Sequence, residues 1–185
     1  CYLNDMKKTK IKDLEDSISR LEKSNHITYD SVQKDAIMKA LNNNLTIITG
    51  GPGTGKTTII RAIVHLLRHE LKAKVDDIAL LAPTGRAAKK MMETTNIPAF
   101  TIHKYLGWDK ERNTFIVDEY SPNPEKYIII DEVSMIDTVL MSSLLKGTRR
   151  DVKLILVGDY YQLPSVAPGQ VLKDLIDSDM IDVIK

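Results

Sequence analysis

The sequence predicts an α/β fold in which a parallel β-sheet is covered by helices on both faces. Short apolar runs at Leu45–Thr49, Ile78–Ala82, Tyr127–Ile130 and Val152–Val157 lack the period-2 alternation of a strand with one wet face. Segments long enough to form helices separate them, as parallel strands require. The glycine-rich segment Gly50–Gly55 follows directly on the first run, and ligands in such folds bind beyond the carboxyl ends of the strands. Bulk composition agrees: 185 residues, 43% hydrophobic and 28% charged, suit one soluble domain. No apolar run approaches the ~20 residues of a membrane span, so no membrane partner is expected. With 26 Lys+Arg against 25 Asp+Glu, the net charge of +1 supplies no global basic field, and any contact with nucleic acid must come from a local face. The single cysteine, Cys1, excludes a disulfide framework and a thiolate metal site, and fits a reducing, cytoplasmic setting.

In chain order, Leu3, Met6, Leu14, Ile18 and Leu21 recur near a helical period with charges between them. Residues 3–24 are therefore expected to be an amphipathic, solvated helix within an N-terminal linker, residues 1–25. The start at Cys1 rather than methionine suggests that this linker joins an upstream domain. Residues 26–185 form the domain proper. After Thr28-Tyr29-Asp30 a short helix buries Val32, Ala36, Ile37, Ala40 and Leu41 and stops at Asn42-Asn43-Asn44. Further helices are expected at about Lys56–Lys74, Arg86–Thr94, Asp137–Lys146, closed by Gly147, and Gly169–Ile176. Ile181–Ile184 could add a fifth strand. Within a 106–125 insertion, apolar ends around the polar turn of Trp108–Val117 read as a small β-hairpin, with a return through Ser121-Pro122-Asn123-Pro124.

Gly50-Gly51-Pro52-Gly53-Thr54-Gly55-Lys56-Thr57 is a complete GxxxxGK[ST] phosphate loop between a strand and a helix. This makes the fold that of a P-loop NTPase. Its glycines let successive backbone N–H groups face phosphate oxygens, and the following helix adds its positive N-terminal end. Gly51 to Thr58 are the expected nucleotide-binding residues; Lys56 can reach the β- and γ-phosphates, and the Thr57 hydroxyl can ligate Mg²⁺. At the end of the third strand, Asp131 is a candidate Mg²⁺ carboxylate and Glu132 a candidate general base that activates water. Lys56, Asp131 and Glu132 thus form the expected catalytic set. His65 and His69 have the spacing of a two-histidine metal face, but no further ligand motif accompanies them, so they are read as exposed helix residues.

Six blocks follow one another along the chain: Gln33, GGPGTGKT at 50–57, APTGRAA at 82–88, TIHKYLG at 101–107, DEVSMID at 131–137 and GDYYQLPSVAPG at 158–169. Together and in this order they resemble superfamily 1 DNA helicases, and most closely the RecD-like (exodeoxyribonuclease V alpha-chain) branch. The resemblance implies a RecA-like first motor lobe that binds ATP and Mg²⁺ and moves 5′ to 3′ on single-stranded DNA in recombination or repair. Gln33 would read adenine, Gln162 would join the catalytic set by sensing the γ-phosphate, and Asp159 would support the magnesium and water network. Pro83, Thr84, Gly85, Arg86, Thr101, His103 and Lys104 would contact the strand. The hairpin would act as a pin at the duplex junction, and helicase-nuclease subunits would be partners. A second motor lobe, which in this family supplies arginines to the γ-phosphate, would follow Lys185, so the 185 residues alone are expected to hydrolyse ATP very slowly and not to unwind DNA. The competing reading is a regulatory module that binds nucleotide and DNA without unwinding; it has no need of Glu132.

Overall fold

The computed structural model describes residues 14–160, 170–178 and 183–184. Helix α1 (Leu14–Asn25) leads into α2 (Ser31–Asn42), strand β1 (Leu45–Thr49), α3 (Lys56–His69), β2 (Ile78–Ala82), α4 (Gly85–Thr95), β3 (Ala99–Thr101) and α5 (Ile102–Tyr105). The hairpin β4 (Trp108–Asp109) and β5 (Thr114–Phe115) follows, then β6 (Tyr127–Ile130), α6 (Thr138–Lys146), β7 (Lys153–Gly158), α7 (Val171–Asp177) and β8 (Val183–Ile184). Six strands form one parallel sheet in the order β3-β2-β6-β7-β1-β8. β7 therefore stands between β1, which carries the phosphate loop, and β6, which carries Asp131 and Glu132.

Both faces of the sheet are buried, which is why the strands carry no alternation. Ile48, Leu80, Ile129, Ile155 and Val157 point into an apolar layer shared with α1, α2 and α3. Ile47, Leu81, Ile128, Ile130, Leu154 and Leu156 point into the opposite layer, shared with α5, α6 and α7. Local chemistry starts and stops the helices. Asp30 caps α2 in a box closed by Gln33, Thr84 caps α4 and Asp137 caps α6. Lys72 and Asn96, both with left-handed backbone (φ 55 and 57), follow the ends of α3 and α4.

Several expectations change. Leu14, Ser17, Ile18 and Leu21 of α1 are buried, and Glu22 accepts from the Tyr29 N–H (2.7 Å) and pairs with Lys34 (3.0 Å). Over residues 14–25 the helix is thus part of the core rather than a solvated connector; residues 1–13 lie outside the described residues. Val32, assigned to the buried stripe of α2, is 49% exposed, because that stripe starts at Ala36. α3 ends at His69 rather than near Lys74, where the left-handed turn at Lys72 redirects the chain. Gly147 does close α6, but with φ −79; a Cβ there would meet Leu106 Cδ2 at 2.8 Å and Val117 Cγ1 at 2.9 Å, so close approach to the hairpin base requires glycine. Of the last expected strand, Val183 and Ile184 are seen beside β1.

The base of the domain is tied by an unusual cation. Lys153, at the start of β7, is 5% exposed and donates to the carbonyls of Leu41 (2.9 Å) and Asn43 at the end of α2. Burial pushes its amine down to about 8.

Candidate functional site

The phosphate loop leaves β1 after Thr49 and returns into α3 at Lys56. Gly53 and Gly55 hold it open with φ of 79 and 80, a conformation that a side chain would strain. Lys56 Nζ donates to the carbonyls of Gly50 (2.6 Å) and Gly51 (2.7 Å), and Thr54 Oγ1 donates to Gly51 (2.9 Å). The loop's own backbone thus positions the lysine over the concavity.

Across from it, β6 ends in Asp131 and Glu132. Burial pushes the Asp131 carboxyl up, against the opposing pull of the Glu132 N–H, which it accepts at 2.9 Å, and of the Lys90 and Lys56 charges. Glu132 has φ 56, a left-handed conformation uncommon outside glycine and concentrated at functional sites. The end of β7 adds Asp159, 3% exposed, and the Tyr160 N–H donates to Thr49 Oγ1 (3.2 Å), which joins the ends of β7 and β1.

These elements enclose a cleft of about 400 Å³ lined by Pro52, Gly53, Gly55, Lys56, Thr57, Lys90, Asp131, Glu132, Gly158 and Asp159. Sequence reasoning gave a role to all of these except Gly158, at the end of β7, and Lys90, which α4 brings in because β2 lies beside β6. Thr54 and Thr58 are exposed and do not line the cleft. The donor set suits a magnesium nucleotide: the Thr57 hydroxyl and Asp131 carboxylate are hard oxygen donors, and Mg²⁺ bound partly by phosphates needs only one or two protein ligands. Among the described residues no cluster of three or more His, Cys, Asp or Glu side chains could hold a metal by itself.

Gln33 reaches the loop but not the cleft lining. Its Oε1 accepts from the Asp30 N–H (3.2 Å) and its Nε2 donates to the Thr54 carbonyl (3.4 Å), next to Gly55. Gln162 lies outside the described residues. The expected strand contacts gather elsewhere on the same sheet edge. β2 pairs with β3 so that Ala82 lies beside Thr101, which brings Pro83–Arg86 next to Thr101–Lys104. Arg86, His103 and Lys104 are exposed; the His103 ring packs on Phe115 (5.7 Å) and Trp108 (6.1 Å) of the hairpin, and Lys104 lies over Phe100 (5.0 Å). His65 and His69 are exposed on α3 with their rings stacked 4.1 Å apart. No described helix is long and apolar enough to cross a membrane.

The family model for the AAA domain matches residues 33–168, most of the chain. The chain belongs to the AAA-domain family. Its similar curated proteins include RecD proteins. The chain is 37% identical over 164 residues to the RecBCD enzyme subunit RecD of Mycobacterium tuberculosis, covering 78% of this chain and 28% of that protein. It is 36% identical over 137 residues to the ATP-dependent RecD2 DNA helicase of Deinococcus radiodurans, covering 74% of this chain and 18% of that protein. The chain thus spans about a quarter, or less, of the length of these curated relatives. In fold, the AAA domain is similar to a Bacteroides Pif1 helicase solved with ADP-AlF3 and ssDNA (TM-score 0.54, 24% identity, 82% of this chain and 37% of that one). The RecD-like character and the parallel α/β P-loop architecture expected from the sequence both hold.

Proposed function

We propose that this RecD-like AAA domain is the ATP-hydrolysing motor of a DNA helicase that moves 5′ to 3′ in recombination or repair. The observation that carries the reading is the cleft in which a phosphate loop faces Asp131 and Glu132 across one intervening strand. ATP lies with its phosphates on Gly51–Thr58, Lys56 bonds the β- and γ-phosphates, and Glu132 takes a proton from the attacking water. Magnesium, held by Thr57 and Asp131, neutralises phosphate charge when bound. Gln33 reads adenine after giving up its contact with the Thr54 carbonyl, and Gln162 senses the γ-phosphate. Single-stranded DNA crosses Pro83–Arg86 and Thr101–Lys104, where exposed cations and the first turn of α4 face the strand. The β4–β5 hairpin, in aromatic contact with His103, acts beside the duplex junction as a pin. The RecBCD subunit name borne by relatives supports helicase-nuclease partner subunits.

The test is calorimetry of this chain with ATP and Mg²⁺, followed by phosphate release from the intact protein with and without single-stranded DNA. Wild type is expected to bind ATP, and Lys56→Ala to weaken binding by about tenfold to a hundredfold, the worth of charge-assisted hydrogen bonds. ATP binding insensitive to Lys56→Ala would overturn the site assignment. Phosphate release that single-stranded DNA leaves unchanged would favour a regulatory binding module over a motor.

A further inference from the structure

Lys90 is the one lining residue of the cleft that the helicase blocks do not account for, and its surroundings distinguish it from an ordinary surface lysine. Its neighbour Lys89 behaves as a helix-surface lysine does, facing Glu93 four residues on at 4.0 Å. Lys90 makes no ion pair among the described residues and instead lines the cleft with Asp131 and Glu132.

The charge inside the cleft gives the position a consequence. Asp131, Glu132 and Asp159 bring three carboxylates, while the loop contributes the single cation Lys56, held by the carbonyls of Gly50 and Gly51. A nucleotide lying on the loop directs its last phosphate away from the loop and toward those carboxylates, which repel it. Lys90 arrives from the opposite wall, on the helix that follows β2, next to β6. Among the described lining residues it is the cation on the carboxylate side.

We infer that Lys90 is a ligand of the terminal phosphate of the bound nucleoside triphosphate, so that the cleft distinguishes ATP from ADP through α4. The inference rests on the nucleotide reading above and deepens it: the loop and Lys56 hold the β-phosphate that ATP and ADP share as well as the γ-phosphate, whereas Lys90 touches only the γ-phosphate. α4 is also the helix whose first turn carries Thr84, Gly85 and Arg86. A side chain that closes on the γ-phosphate therefore pulls on the element proposed to touch the DNA strand.

The experiment compares the affinities of this chain for ADP and for a non-hydrolysable ATP analogue, both with Mg²⁺, in wild type, Lys90→Ala, Lys90→Arg and Lys56→Ala. Lys90→Ala is expected to weaken the analogue by about tenfold and ADP by less than about twofold, with Lys90→Arg recovering most of the difference. Lys56→Ala should weaken both. Because Lys90 is exposed on its helix, the variants are expected to unfold at the wild-type temperature, which a thermal melt checks. If Lys90→Ala weakens analogue and ADP in parallel, or neither, the inference is overturned while the nucleotide site stands. If wild type binds neither nucleotide, both readings fall together.

Discussion

In the cleft, Lys56 is clasped by two carbonyls, Asp131 is pushed toward protonation by burial, and Glu132 takes a left-handed backbone. At the ends of β2 and β3, a few residues away on the same sheet edge, Arg86, His103 and Lys104 are exposed, and local helix caps at Thr84 and Thr101 order the backbone. The contrast separates two kinds of work. Chemistry on a phosphate needs groups fixed in advance in a partly dry site, where charge acts strongly. Holding a polyanionic strand without reading its sequence needs accessible cations that solvent and salt can screen. Under the proposed function one sheet edge serves both, because the carboxyl ends of parallel strands all open the same way.

Four substitutions probe that division, from the largest expected effect to the smallest. In the intact protein Glu132→Gln should lower phosphate release by about 10²–10⁴-fold, the usual worth of a general base, with ATP binding retained; normal turnover in single-turnover assays would remove Glu132 from the chemistry. Gly55→Ala should then show how much the cleft depends on preorganised backbone. Its φ of 80 and the Gln33 Nε2 that a Cβ would meet at 2.5 Å predict a loss of about 1–2 kcal/mol in nucleotide binding, measurable by calorimetry. An unchanged affinity would mean the loop is remade by the ligand.

Lys153→Met tests the cleft's support from behind, since Lys153 ties down the end of α2, whose first turn presents Gln33 to the loop. With a folded value near 8 against 10.5, the unfolded chain binds more protons between those limits. Wild-type stability should therefore rise with pH through that window, by roughly 1–3 kcal/mol, while below about pH 8 the full cost of charging the buried amine is present. Urea titrations of Lys153→Met should lack that rise; the same slope in both proteins would assign it to other groups. Smallest is Arg86→Ala, which should weaken single-stranded DNA about uniformly across sequences and reduce the salt slope by roughly 0.7, with nucleotide affinity unchanged. A sequence-dependent loss would make the rim a reader of bases.

Much of this was legible in the sequence, for identifiable reasons. A strand buried on both faces has to be apolar throughout, and a phosphate loop has to carry glycine where φ is positive, so β1, β2, β6, β7 and Gly50–Thr57 announce themselves. β3 does not, because Ala99, Phe100 and Thr101 form a three-residue edge strand, with Phe100 exposed. The burial of α1 was hidden as well. Its charges are those of a solvated helix, and what buries Leu14, Ile18 and Leu21 is the distant surface of α2 and α3. Lys90 was invisible for a related reason: a lysine on a helix is unremarkable until the pairing of β2 with β6 swings that helix to the cleft. Local rules report on a residue's neighbours in the chain, whereas these three depend on neighbours brought together by the fold.

The position of β7 also sets a length. Adjacent strands lie about 4.8 Å apart, so inserting one between β1 and β6 separates the start of the phosphate loop from Asp131 and Glu132 by roughly 10 Å. Were β1 and β6 direct neighbours, the carboxylates would crowd the loop and repel any phosphate resting on it. Two strand spacings leave room for a phosphoryl group and one water in line between them. The order of the strands in the sheet thus acts as a ruler for the proposed reaction, fixed before any side chain is chosen.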